Sequence, residues 1–214
     1  MKRQILELTL EKLSLEVTGA RKNANSVHVV TVGLIWPRPA IAEKLAVKVL
    51  DVAGKSCSLA RKPWVERILF KETVEGPFGV ELTVSEPVSD RQVADFMRFM
   101  GSAMFKLAAS EVADLVVNPL AGALTGTPLR YLSKEISSSG KKAPRIIAAG
   151  SVDLRAEDLV RHGKNSPVKL RLRTEEGVHS VVRTRKHGKS SVRKTTLLEA
   201  GQPNGEAVLG ARLY

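Results

Sequence analysis

The segment ILELTLEKLSLEV, residues 5–17, carries the strand pattern on which the prediction of fold class rests. Leu6, Leu8 and Leu10 alternate with polar residues, and beyond Lys12 the apolar positions continue in the opposite phase. A period of two is typical of a β-strand with one buried face, whereas an amphipathic helix repeats every three to four residues. The change of phase predicts a β-bulge or a bend between two sheets.

Two more strand patterns follow this segment. Residues 27–36 are rich in β-branched residues and apolar on both faces, which is typical of a central strand. Leu45, Val47 and Val49 then alternate with two lysines and an alanine, so we expect a third strand that exposes its lysine face to water.

Turn residues predict how the remaining strands pair. Hairpins are expected around residues 75–77 and 175–177, and a last strand pair around the turn at 201–205. Many short antiparallel strands of this kind resemble the β-sandwich modules that bind lipids or proteins, C2-type domains among them. The Asp-rich calcium loops of those domains are absent from this sequence, so the resemblance contributes no site residues.

A long helix is predicted in the middle of the chain, from Val88 to Val117. Ser89 and Gln92 have the spacing of a capping box, and apolar residues then recur at steps of three and four. A short helix is predicted from about residue 128 to 137, with a proline at its first position. The Ser- and Lys-rich residues 137–142 are typical of a flexible linker.

Strands followed by helices and then by strands predict an α+β fold. We expect a mainly antiparallel, sandwich-like β-sheet with a long amphipathic helix and a short helix inserted mid-chain. Residues 1–140 are predicted to form a β-rich core with the helical insertion at about 89–137. Residues 141–214 are predicted to form a basic β-hairpin region that completes the same domain.

The charge of the chain is concentrated near its C-terminal end. The sequence has 34 Lys and Arg against 22 Asp and Glu, a net charge of +12. Residues 141–214 contribute +9 of this, with 16 basic and 7 acidic residues. Such asymmetry favours an anionic partner, either nucleic acid or an anionic membrane surface, although a merely solvated basic face gives the same composition.

Two basic segments provide the candidate binding residues. In residues 168–173 three cations share one strand face at steps of roughly 6.5 to 7 Å, which suits successive phosphates of a nucleic-acid strand. Residues 183–194 contain Lys and Arg but no acid, and the two His-Gly-Lys turns at 162–164 and 187–189 could converge on an anion or simply be solvated. The predicted polyanion-binding residues are Lys164, Lys169, Arg171, Arg173, Arg183, Arg185, Lys186, Lys189, Arg193 and Lys194.

Aromatic residues are almost missing from this basic region. It has no Phe or Trp, and its one aromatic residue is Tyr214. Modules that bind single-stranded RNA usually stack bases on aromatic side chains. The composition therefore favours contacts to a phosphate backbone or to lipid headgroups.

Signals for catalysis are sparse. Cys57 is the single cysteine, and the four histidines have no metal-ligand spacing. A phosphate-loop pattern ending at Gly188-Lys189-Ser190 fails because Arg183 stands where its first glycine belongs. We predict no catalytic residue, no metal site and no cofactor, and the lack of a signal peptide or transmembrane segment predicts a cytoplasmic protein.

The predicted helix suggests a second kind of function. Three Met and three Phe lie within ten positions, and Met-rich faces are common at adaptable protein contacts. Phe99 and Phe105 lie off the main apolar stripe and are the predicted partner-binding residues. The sequence thus favours a non-catalytic binding or assembly module that contacts a polyanion, with a structural subunit that oligomerises or docks a protein through this helix as the alternative.

Overall fold

The computed structural model describes residues 3–19, 27–36, 44–52, 54–89, 91–98, 145–161, 165–186 and 189–214. Strands dominate these residues, and the helices are short. The helices are α1 (Trp64–Arg67), α2 (residues 91–98) and α3 (Ala156–Arg161). The strands are β1 (Gln4–Ser14), β2 (His28–Ile35), β3 (Lys44–Leu50), β4 (Ser56–Ser58), β5 (Ile68–Val74), β6 (Pro77–Ser85), β7 (Ile146–Arg155), β8 (Ser166–Arg173), β9 (Val178–Lys186), β10 (Lys189–Leu198) and β11 (Pro203–Leu213).

Nine of these strands form one sheet, so the prediction of a mainly antiparallel β fold is confirmed. The strand order is β3-β2-β6-β7-β8-β11-β1-β4, and β5 pairs with β1 beside β4. The sheet is nearly barrel-shaped. Its two ends approach each other where Lys44 Nζ of β3 lies 3.6 Å from Glu72 Oε1 of β5. Strands β9 and β10 form a separate two-stranded sheet.

Strand β1 forms the centre of the core, and its predicted bulge is confirmed. Leu6, Leu8 and Leu10 are fully buried on one side of the bulge, and Leu13 is fully buried on the other. The register of β1 with β11 shifts between Leu10 and Lys12. The extra residue lets apolar side chains point inward on both sides of the bend, which strict alternation would not allow.

The predicted orientation of β3 is wrong. Val30 and Val32 of β2 are fully buried, and they pair with Lys48 and Ala46 of β3. Val30 and Val32 belong to the core cluster and Ala46 packs against it, so the β3 face that carries Ala46 and Lys48 is the inward one. Val49, predicted to be buried, is instead 43% exposed. The alternation correctly grouped the residues of each face but could not identify which face is covered.

The predicted strand partners are also partly wrong. Strands β5 and β6 are joined by a short turn, yet β5 pairs with β1 while β6 pairs with β2 and β7. Likewise β8 pairs with β11, and β9 pairs with β10, so the hairpin predicted around residues 175–177 does not form. The strand pair predicted around residues 201–205 does not form either, because β10 and β11 lie in different sheets. Neighbours in sequence therefore separate at all three turns, since pairing is decided by the burial of each face over the whole sheet.

The start of the predicted long helix is present. The backbone N–H of Ser89 donates to Gln92 Oε1 at 3.1 Å, which is one half of the capping box, and Val93 N–H donates to the Ser89 carbonyl at 3.0 Å. The helix is described as far as residue 98. The rest of it, the short helix at 128–137 and the linker at 137–142 lie outside the described residues. Within the described part of the chain, no helix is long and apolar enough to cross a membrane.

Candidate functional site

Strand β8 presents its cations outward, as the sequence predicts. Its residues alternate between buried and exposed along the whole strand. Leu170 and Leu172 are buried in the core, whereas Lys169, Arg171 and Arg173 are exposed on the opposite face. The apolar half of the strand thus anchors the charged half in a fixed row on the outside of the sheet.

The neighbouring strands add one cation and one acid to this row. Lys169 pairs with Val208 of β11, which in turn pairs with the exposed Lys12 of β1. Arg171 pairs with Glu206. Lys12 joins the basic face because the bulge turns it outward, whereas the Glu206 carboxylate lowers the positive potential beside Arg171. Sequence reasoning missed both residues because they lie on strands far from β8 in the chain.

Arg173 ends the row at a turn. Its Nη1 donates to the carbonyl of Gly201 at 3.3 Å. The adjacent Thr174 is buried, and its Oγ1 donates to the Glu199 carbonyl at 2.6 Å. These contacts join the end of β8 to the turn that precedes β11. We call Lys12, Lys169, Arg171 and Arg173 the outer basic row.

The remaining predicted cations lie elsewhere. Arg183, Arg185 and Lys186 belong to β9, and Lys189, Arg193 and Lys194 belong to β10. The register pairs Lys186 with Lys189, Arg183 with Val192 and Lys194 with Val181. Lys164 lies outside the described residues.

A small polar pocket lies on the same outer face as the basic row. Its volume is about 60 Å³. Residues from β1, α1, β11 and the segment before β8 surround it: Glu7, Thr9, Glu11, Trp64, Arg67, Asn165, Gly210 and Arg212. A Cβ at Gly210 would lie 2.7 Å from Thr9 Oγ1 and 2.9 Å from Glu11 Oε1. The absence of a side chain at this position therefore leaves room for the polar groups of β1.

One wall of the pocket is a hydrogen-bonded cluster around Glu11. Arg67 Nη1 donates to Glu11 Oε1 at 3.0 Å and to Oε2 at 3.1 Å. Thr9 Oγ1 is 2.7 Å from the same Oε1. These contacts hold the Glu11 carboxylate and attach α1 to β1. Arg67 Nε is buried and finds no acceptor in the described part of the chain.

Glu7 and Arg212 also line the pocket, and both contact Tyr214, which lies outside its lining. The Tyr214 hydroxyl donates to Glu7 Oε2 at 3.3 Å, and Arg212 Nη1 donates to the same hydroxyl at 3.3 Å. The contact with Tyr214, followed by the negative charge of Glu7, raises the pKa of Arg212. Like any arginine, Arg212 is protonated at neutral pH, so its guanidinium is a hydrogen-bond donor to the pocket.

The candidates for catalysis do not converge among the described residues. Burial, with a smaller contribution from Asp51, raises the pKa of Cys57, so the thiol is protonated at neutral pH and is a poor nucleophile. Cys57 lies on β4, whereas His28 lies on β2 and His179 on β9. The described part of the chain contains no group of three or more His, Cys, Asp or Glu that could hold a metal ion.

The pocket residues could not have been identified from the sequence. Glu7, Thr9 and Glu11 read as the polar face of a strand, and Trp64 and Arg67 fall in a stretch without a motif. Glu7 and Thr9 meet Arg212 and Gly210 because these residues are paired between β1 and β11. Comparison with known proteins adds no assignment, since no protein-family model matches the chain and no curated protein matches it.

Proposed function

We propose that the chain is a non-catalytic binding module whose basic outer face contacts a polyanion, either a nucleic-acid backbone or an anionic lipid surface. The observation that supports this most strongly is the exposed row of Lys169, Arg171 and Arg173 on β8. A rigid strand that holds three cations at a regular spacing suits a ligand with repeated negative charges.

The charge of the described neighbours also supports the proposal. Lys12 extends the row across two strands, and the residue paired with Arg171 is the acid Glu206. Contacts with phosphates supply affinity without sequence specificity, and each one releases counterions. The module is therefore expected to bind many sequences with similar affinity and to lose binding steeply as salt increases.

The test is a salt titration of binding to a labelled DNA duplex, a labelled single-stranded RNA, and vesicles of phosphatidylcholine with and without phosphatidylserine. The test variant carries Lys169→Gln, Arg171→Gln and Arg173→Gln. For duplex DNA, each phosphate contact that is lost lowers the slope of log affinity against log salt by about 0.9. The triple variant should therefore lower that slope by up to about 2.7.

A second triple variant controls for net charge. Arg61, Arg91 and Arg98 are exposed cations outside β8, and their replacement by Gln removes the same formal charge. This control should bind nearly as well as the wild type. Equal losses in the two triple variants, or no binding of the wild type to any of the ligands at low salt, would refute a local polyanion site.

The second candidate function is self-association or docking of a protein through the Met- and Phe-rich helix. The supporting observation is Met97, which is 47% exposed on α2. An exposed Met next to the predicted contact residues Phe99 and Phe105 suits an adaptable protein interface.

The test of this candidate compares two glutamate substitutions on α2. Met97→Glu should shift the oligomer distribution in light scattering, whereas Ala94→Glu, at another exposed position of the same helix, should not. If both variants leave the molar mass of the wild type unchanged while a folded spectrum persists, the helix is not a self-association surface.

A further inference from the structure

The polar pocket contains hydrogen-bonding groups that the described residues satisfy only in part. Glu7 is 9% exposed, yet the Tyr214 hydroxyl at 3.3 Å is the donor that the described residues provide to it. A buried carboxylate normally accepts several hydrogen bonds because its desolvation is costly. No Glu7 oxygen is both buried and unpaired, so the oxygen that Tyr214 does not contact is accessible, whereas Arg67 Nε is enclosed and out of reach of a ligand. The pocket thus offers an accessible acceptor, Glu7, together with the donor Arg212.

The balance of charge in the pocket decides what kind of ligand it suits. Two carboxylates, Glu7 and Glu11, are matched by two guanidiniums, Arg67 and Arg212. A metal ion would meet the two positive groups, and the acids here do not form a group of three ligands. An anion would meet both carboxylates. A neutral ligand whose groups both donate and accept avoids either repulsion, and hydroxyl groups have this property.

Trp64 adds an apolar surface beside the polar groups. The indole is 48% exposed and lines the pocket on the side of α1. Aromatic side chains that are partly exposed beside a few fixed polar groups are typical of sites for small amphipathic ligands. A sugar ring fits this combination, because its C–H face is apolar and its edge carries hydroxyl groups.

The size of the pocket limits how the ligand could bind. Its volume of about 60 Å³ is far below the roughly 300–1,000 Å³ of pockets that enclose a small ligand. Only the hydroxyl-bearing edge of a sugar ring can enter such a space. The remainder of the ring would lie outside, against Trp64.

We propose that this pocket is a subsite for one neutral sugar residue of a saccharide. Glu7 accepts hydrogen bonds from the ring hydroxyls, Arg212 and Asn165 donate hydrogen bonds to them, and Trp64 packs against the face of the ring. Glu11 and Arg67 position this site through their ion pair and the hydrogen bond with Thr9. The proposal does not depend on the basic row, which lies further along the same face.

The test is a titration of the isotope-labelled protein with the methyl α-glycosides of glucose, mannose and galactose, followed by NMR. Trp64→Phe identifies the indole N–H signal of Trp64, and Trp36, which packs against the core, provides an internal reference. We expect a saturable shift of the Trp64 signal, with a dissociation constant of order millimolar for so small a contact, and no shift of Trp36.

Two matched substitutions assign the interaction to the pocket. Glu7→Gln should weaken binding by about tenfold, because it removes an ionised acceptor. Glu66→Gln, at an exposed acid of α1 outside the pocket, should leave binding unchanged. If Glu7→Gln does not fold, Asn165→Ala at an exposed pocket position takes its place, with an expected loss of affinity.

The result that overturns the proposal is the absence of a saturable Trp64 shift with all three glycosides. Equal affinities of the Glu7→Gln and Glu66→Gln variants for the glycosides would also overturn the proposal. A Trp64 shift caused by inorganic phosphate and not by glycosides would instead assign an anion site. The variant with Lys169, Arg171 and Arg173 replaced by Gln should bind glycosides like the wild type. Failure of the polyanion proposal can therefore be distinguished from failure of the saccharide proposal.

Discussion

Replacing Asn204 by alanine is expected to destabilise the protein by about 3 kcal/mol. Asn204 is fully buried where β11 begins. Its Oδ1 accepts a hydrogen bond from Val17 N–H at 2.8 Å. Its Nδ2 donates to the carbonyls of Val17 at 3.1 Å and of Ile147 at 2.9 Å. One side chain thus joins the segment that follows β1, the start of β11 and β7.

The magnitude follows from what the substitution leaves behind. Ile147 is buried, so its carbonyl would lose a partner without gaining water, at a cost of about 1–3 kcal/mol. The two groups of Val17 are partly accessible, and the loss of each hydrogen bond costs about 0.5–1 kcal/mol. For a chain of this length, about 3 kcal/mol lowers the melting temperature by roughly 6–12 °C.

The assay is thermal and urea unfolding followed by circular dichroism, with Asn165→Ala as the control. Asn165 is exposed, so its replacement should change the free energy of unfolding by less than about 0.5 kcal/mol. An Asn204→Ala protein within about 0.5 kcal/mol of the wild type would show that the three hydrogen bonds do not stabilise the fold as argued.

Asn204→Asp tests the same reasoning through its pH dependence. The aspartate keeps the acceptor for Val17 N–H but turns a second oxygen toward two carbonyls. Burial and these carbonyls raise the pKa of the folded carboxyl above its unfolded value. Folding then binds a proton, so the variant should lose stability as pH rises above about 3.9, the unfolded value. A flat pH profile relative to the wild type would contradict the assigned hydrogen bonds.

Two further predictions concern the backbone and a half-buried lysine. In urea unfolding, Gly205→Ala should destabilise the protein by at least about 2 kcal/mol more than Gly201→Ala. Both glycines have positive φ, but only at Gly205 would a Cβ overlap a backbone atom, the carbonyl oxygen of Ser14. Equal losses of stability in the two variants would contradict this prediction. Burial lowers the pKa of Lys48 in the folded protein. The stability of the wild type should therefore rise with pH between that lowered pKa and 10.5, the ordinary value. The Lys48→Met variant should lack this rise and should be more stable than the wild type at neutral pH. The gain should be small, because the ammonium is partly solvated. A variant less stable than the wild type at pH 7 would contradict this prediction.

The local features of the strands were predictable from the sequence because they depend on neighbours in the chain. The alternation in residues 5–17 correctly predicted a strand with a bulge near Lys12, and the structure shows the register shift there. The alternation in residues 168–173 correctly predicted a row of three cations on one exposed face of β8. In both cases a period of two records which side chains share a face.

The pairing of strands was less predictable. A turn such as residues 75–77 indicates where the chain reverses but not which edges then meet, and the two strands beside it pair elsewhere. The face of β3 that turns inward is also decided by the neighbouring strand. Lys48 faces the core because it shares a sheet face with its partner Val30 of β2. The role of Asn204 was hidden for a related reason, because it lies in a stretch of turn residues and its partners are far away in the chain.

By itself, the sequence determined the β character of this protein, the bulge in its first strand and the outward row of cations on β8. Each of these follows from side chains within a few residues of one another. Only the tertiary structure decided the strand order, the covered face of β3 and the pocket beside Trp64. The pocket brings Glu7, Arg67 and Arg212 together from three separate elements. Such convergence depends on the register between distant strands, and that register is set by the burial of the whole sheet.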